Sequence, residues 1–156
     1  MTPGFRAVCP VLAAVFVLAC GGDAGESESG AATPASGSAT AVMTRSVEIS
    51  SPADGSEVEG PSLTVNMEAR GFTVAPAGDS TPNSGHLHLF LDRDLSLAGI
   101  PIPTEENYVV HLGKGTRSYT FEVVSPGEHR MIAVVGDALH VPLQPWVVDT
   151  VFFTVR

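Results

Sequence analysis

The chain has 156 residues, with 8 Lys+Arg against 17 Asp+Glu and a formal net charge of −9. That sign argues against nucleic acid and against an electrostatic hold on anionic lipid headgroups, since both require a basic surface. The two cysteines, Cys9 and Cys20, both lie near the N-terminus, so the rest of the chain has no disulfide available to it.

The first element is Arg6 followed by an apolar run, Ala7 to Ala19, that closes on Val17-Leu18-Ala19-Cys20. A bilayer-spanning helix needs roughly 20 apolar residues, so this run is short for a span. It has the size of a signal-peptide core, with small residues at the cut. The pattern resembles the bacterial lipobox, which implies that Cys20 takes a diacylglycerol thioether and becomes the mature N-terminus. An ordinary secretory signal cut near Ala19 is the alternative. Residues 1–19 are thus expected to be a lipoprotein signal peptide. The expected location is the cell envelope, lipid-anchored, facing the periplasm or the outer surface, with the membrane contacted through the N-terminal lipid.

Residues 20–44 are mostly Gly, Ser, Ala, Thr and Glu. Such a segment cannot bury enough apolar surface to offset its ordering entropy, and reads as a flexible linker. Residues 45–156 form the expected domain.

Its punctuation is that of an all-β protein. Val47-Glu48-Ile49 is a short strand and Ser51 to Gly55 a turn. Leu63, Val65, Met67 and Ala69 alternate with polar residues, the period of a half-buried strand. Gly71 to Ser84 reads as a long loop. In the strand His86 to Asp92, Leu87, Leu89 and Leu91 share one face, and His86, His88, Phe90 and Asp92 the other. A Pro-rich connection, Gly99 to Pro103, leads to a strand at Tyr108–Leu112. Gly113-Lys114-Gly115 reads as a hairpin turn. Tyr119, Phe121 and Val123 alternate with Thr120 and Glu122, Met131 to Val135 has the continuous apolarity of a central strand, and Val147 to Val155 closes the domain. Seven or so strands in about 110 residues, without helical periodicity, predict an immunoglobulin-like β-sandwich. In such sandwiches a Pro-Gly turn is often followed by a ring that hydrogen-bonds back to the corner. In Ser125-Pro126-Gly127-Glu128-His129, His129 takes that position and is set aside as a ligand.

The other four histidines form the candidate metal site. His86 and His88 lie two apart on a strand, so their rings leave the same face about 6–7 Å apart at a rise of roughly 3.3 Å per residue. His111 ends another strand, and His140 lies in the loop after the central one. Neutral imidazole is a ligand for zinc and copper, and a tetrahedral site takes four donors, or three and a water. His86, His88, His111 and His140 are therefore the candidate ligands for copper or zinc. The competing reading is solvated or backbone-bonded histidines. Imidazole binds metal only when neutral, so affinity is expected to fall below about pH 6.5. Asp92 and Asp137 read first as turn residues and second as metal ligands or as acceptors for ring N–H groups.

At these residues the chain resembles a known family. Ser51-Pro52-Ala53-Asp54-Gly55, Val74 to Gly78, Gly85-His86-Leu87-His88-Leu89, Pro101-Ile102-Pro103, His111-Leu112-Gly113-Lys114-Gly115, Pro126-Gly127-Glu128-His129 and Gly136-Asp137 with His140-Val141-Pro142 follow one another as in a family of bacterial exported and lipoprotein domains of unknown function. Some of its members carry a rod-shape-related name. The resemblance covers about residues 46–156. Family members tend to have further histidines where this chain has Leu87 and Leu143, which removes two potential ligands and leaves the four named. A looser likeness to copper–zinc superoxide dismutase stops at the His-x-His strand, and no dismutase activity is expected.

No nucleophile–base pair, Gly-x-Ser-x-Gly turn, phosphate loop or dinucleotide fingerprint appears. The expected function is a lipid-anchored envelope module binding a transition metal. The alternative is a non-catalytic scaffold or adhesion domain for an envelope protein or glycan, with Trp146 as its best contact residue if it does not pack in the core. A metalloenzyme with an open coordination position is the third reading.

Overall fold

The computed structural model describes residues 44–156. The expected signal segment, the lipid site Cys20 and nearly all of the linker lie outside these residues. Among them nine strands form and no helix, in two sheets that make a β-sandwich.

The first sheet has three strands in the order β1 (Ser46–Ser51), β3 (Leu63–Arg70) and β7 (Ser118–Phe121), all antiparallel. In β3 the period-two alternation is literal: Leu63, Val65 and Met67 are buried and the residues between them exposed. The second sheet runs β2 (Ser56–Val58), β9 (Val148–Val155), β8 (Gly127–Gly136), β5 (Ser84–Leu91). Two short strands, β4 (Thr73–Val74) and β6 (Val109–Leu112), then pair with the same β5, β4 in parallel at Ser84 and Gly85 and β6 antiparallel at Leu87 to Phe90. The inner faces of both sheets supply one core that includes Val47, Ile49, Val65, Met67, Leu87, Leu89, Phe121, Met131, Val135, Val151 and Phe153.

β8 is central, with β5 on one side and β9 on the other, and Met131 to Val135 are almost wholly removed from water. Burying both faces of a strand needs a second cover, and the connection between β5 and β6 supplies it. Its Ile102 and Leu95 pack with Phe90, Val109, Ile132 and Val134 into a smaller core on the outer face of the sheet. Arg93 fastens this cover by pairing with Glu105 at 2.7 Å and lying over the Tyr108 ring.

Several sequence expectations change. The strand count rises from about seven to nine, because β2 and β4 are too short to show a period, and both pair in parallel with strands distant in sequence or across a loop. The loop from Gly71 to Ser84 therefore contains a strand. Gly113-Lys114-Gly115 does not close a hairpin: β6 pairs with β5 and β7 with β3, so this turn carries the chain from one sheet to the other. β7 stops at Phe121, which leaves Val123 74% exposed while Val124 turns inward. Trp146 is neither a core residue nor fully solvated, at 38% exposure.

Candidate metal site

The outer face of β5 carries the site. Alternation sends Leu87, Leu89 and Leu91 into the main core, and His86, His88 and Phe90 to the opposite side. Phe90 joins the small outer core. His86 and His88 lie beyond it and are 1% and 0% exposed, which is unusual for side chains with two polar ring atoms.

Two further elements bring the remaining rings. His111, in β6, is the register partner of His88, so both side chains leave the same face of the sheet. The turn after it is held by the Ala77 amide, which donates to the Gly113 carbonyl at 3.0 Å. His140 comes from the loop after β8. The Asp137 carboxylate accepts from the Leu139 and Val141 amides at 2.8 and 2.9 Å, and the His140 amide donates to the Asp137 carbonyl. His140 itself sits at φ 65°, in the left-handed region where histidine is among the better-tolerated residues. The Ile102 amide donates to the His140 carbonyl at 2.8 Å and ties the loop to the outer cover.

All four candidate residues are thereby brought together. Their six ring-centroid separations run from 4.6 Å for His111–His140 to 5.8 Å for His88–His140. One nitrogen from each can be chosen so that all four lie within 4.8 Å of one another. His86 Nε2, His111 Nε2 and both ring nitrogens of His88 are buried without a hydrogen-bond partner. Buried polar atoms normally find one, and leaving one unmade costs about 1–3 kcal/mol. These four nitrogens belong to three of the rings, and the four histidines together form a ligand set that could hold a metal ion. A zinc–nitrogen bond is about 2.0–2.1 Å, so the rings need to draw inward by less than about 1 Å to meet one ion.

Burial also sets the charge state. Desolvation takes the His86 imidazole from its ordinary 6.5 down to about 4, helped by the repulsion of His111 and His140 and opposed by the Asp137 carboxylate. His88 falls to about 3, again chiefly by desolvation and then by its three histidine neighbours. His111 is lowered for the same reason, with His140 adding repulsion. His86 and His88 therefore stay neutral, with free lone pairs, well below pH 6.5.

The sequence reading missed two glycines that seat the rings. A Cβ on Gly136 would lie 2.9 Å from His88 Cε1, and one on Gly113 would lie 2.5 Å from His111 Cε1. Each ring rests on bare backbone that any larger residue would fill. Gly136 is the register partner of His86 across β5 and β8, a relationship that only the pairing reveals.

The remaining candidates fall outside the cluster. His129 Nε2 donates to the Ser125 carbonyl at 2.7 Å, the corner bond expected of it, while its Nδ1 meets Asp92 Oδ2 at the same distance. Asp92 also accepts from the Arg130 amide, and Asp137 holds its own turn, so both act first as turn residues. Leu87 does not stand in for a lost ligand. It faces the main core, and an imidazole there would not reach the site.

A family model for a domain of unknown function, DUF4399, matches residues 65–156, which include all four clustered histidines. No curated protein matches the chain. A crystal structure of an engineered protein is similar over 72% of this chain with a TM-score of 0.42 and 13% identity, and the chain spans 20% of that protein's length. By the family match, which covers more than half of its residues, the chain belongs to the DUF4399 family of domains of unknown function.

Proposed function

We propose that this protein is a lipid-anchored cell-envelope module that binds one copper or zinc ion through His86, His88, His111 and His140. One observation carries the reading: four imidazoles from three separate elements converge, and on three of them buried ring nitrogens have no protein partner. The donor chemistry supports late first-row metals, because imidazole suits zinc and copper whereas calcium and magnesium take oxygen. The anchor rests on the Val17-Leu18-Ala19-Cys20 pattern, which supports a location outside the cytoplasm.

The test is elemental analysis and metal titration of the purified full chain beside a His86→Ala/His88→Ala double variant. One equivalent bound by the wild type and none by the variant is the expected result. Absence of tight binding in the wild type would remove the metal from the proposal. Incorporation of labelled fatty acid, lost in Cys20→Ala, tests the anchor separately.

A second reading is a scaffold or adhesion domain. It is favoured by exposed Val148 and Phe152 on one face of β9 with half-exposed Trp146 just before it. Partner binding through that face would survive the histidine substitutions.

A further inference from the structure

Resting on the metal-binding reading, we infer that the site is a closed tetrahedral four-nitrogen cage, built for zinc(II) or copper(I) and against ions that favour a square plane or an octahedron.

The positions of the ring centroids do not depend on which nitrogen of each ring binds. With a metal–nitrogen bond of about 2.0–2.1 Å, each centroid sits about 3.2 Å from the ion. A tetrahedron then separates all six pairs of centroids by about 5.2 Å, whereas a square plane gives four pairs at about 4.5 Å and two at about 6.4 Å. The six separations here are 4.7, 4.8, 4.8, 5.0, 5.8 and 4.6 Å. They form a single group with one long member, rather than a set of four and a set of two.

The same numbers exclude a flattened arrangement. His88 and His140 form the long pair at 5.8 Å, so in a plane His86 and His111 would sit on the other diagonal. With the four remaining separations as sides, that diagonal would be about 7.6 Å in the planar case that copper(II) and nickel(II) favour. It is 4.8 Å. The four rings are folded out of any common plane, by close to the fold of a regular tetrahedron.

The architecture explains why. His86, His88 and His111 leave one sheet face from adjacent strands and make a triangular base, while His140 comes over it from a loop anchored by Asp137 and Ile102. With three donors fixed on the sheet and one above, the four become coplanar only if the His140 loop leaves its Asp137 and Ile102 anchors. Four protein nitrogens also complete a tetrahedral shell and leave no position for substrate or catalytic water, so the ion is held rather than used.

Cobalt(II) titration of the purified full chain tests this, because tetrahedral cobalt absorbs far more strongly in the visible than five- or six-coordinate cobalt. The expected result is an intense visible band saturating at one equivalent, unmoved by excess azide and abolished by one equivalent of zinc. Nickel at the same concentration should displace less than about one tenth of the zinc. In His140→Ala the band should weaken and become azide-sensitive as the shell opens. A weak spectrum at full occupancy, azide sensitivity in the wild type, or nickel displacing zinc at parity would overturn the closed tetrahedral cage and leave metal binding intact. Failure to bind cobalt, zinc and copper(I) at all would overturn both.

Discussion

His88 and His111 face each other as register partners across β5 and β6, their rings nearly parallel at 19° with centroids 5.0 Å apart. Neither His88 ring nitrogen has a protein hydrogen-bond partner, and the ring is completely buried. In the metal-free domain that arrangement works against stability. His88→Leu keeps much of the volume and removes the unmet nitrogens, so the metal-free variant should be more stable by about 1–3 kcal/mol. Denaturant unfolding in chelator, with metal titration alongside, checks both halves: higher midpoint, lost binding. A less stable variant would show that the imidazole is satisfied in solution.

Acidification should destabilise the metal-free domain. His86 and His88 titrate at about 4 and about 3 when folded, and near 6.5 when unfolded. Between those values the unfolded chain binds protons that the folded chain refuses, so stability falls as pH drops from about 6.5 toward 4. The slope is on the order of 1 kcal/mol per pH unit for each ring. Unfolding midpoints measured in chelator across that window should follow this slope, and His86→Leu/His88→Leu should flatten it.

Substituting the glycine beneath His88 tests how tightly the site is shaped. In Gly136→Ala the new methyl would meet His88 Cε1 at 2.9 Å, and the ring, being the softer partner, should swing away from the shared centre. Zinc affinity is expected to fall by about 10–100-fold, the usual scale for disturbing a ligand's support, with the far-ultraviolet circular dichroism unchanged. Gly113→Ala should act on His111 in the same way.

The loop carrying His140 depends on one carboxylate oxygen. Asp137→Ala removes the acceptor for two amides and should weaken zinc binding by about tenfold or more, whereas Asp137→Asn retains that oxygen and should recover most of it. Isothermal titration of the pair separates loop anchoring from any direct effect of the carboxylate's charge, because the asparagine is neutral. Equal losses in both variants would point to charge instead.

His129 provides the contrast. Its ring closes the corner at Ser125 and meets Asp92, away from the cluster. His129→Ala should cost about 1–3 kcal/mol of stability by leaving those partners unmet, with metal stoichiometry unaltered. Loss of binding in this variant would mean that the cluster's boundary is drawn wrongly.

Much of the site was legible because alternation is a local property. A period of two assigns Leu87 and His88 to opposite faces from the sequence alone, and the continuous apolar run of β8 marks a strand covered on both sides. What the sequence does not carry is pairing. That His88 meets His111, and that Gly136 lies beneath His88's ring, follow from the registers of β5 with β6 and β8, which are fixed by packing across more than twenty residues of intervening chain. The two- and three-residue strands β4 and β2 escaped notice because no period can be read in so few residues. The approach of His140 was hidden for another reason: its loop is held by Asp137 and by Ile102 of the irregular β5–β6 connection, and neither shows a pattern until it is seen against the sheet.

The strict alternation along β5 makes reading frame, more than residue identity, the property this strand must keep. A one-residue slip of β5 against its neighbours would exchange the two faces at once, driving imidazoles into the main core and leucines into the histidine cluster. No partial version of that error exists. Length variation in descendants of this gene should therefore accumulate in the connection from Asp92 to Tyr108 and in the loop before β5, while the stretch from Gly85 to Leu91 passes through unbroken.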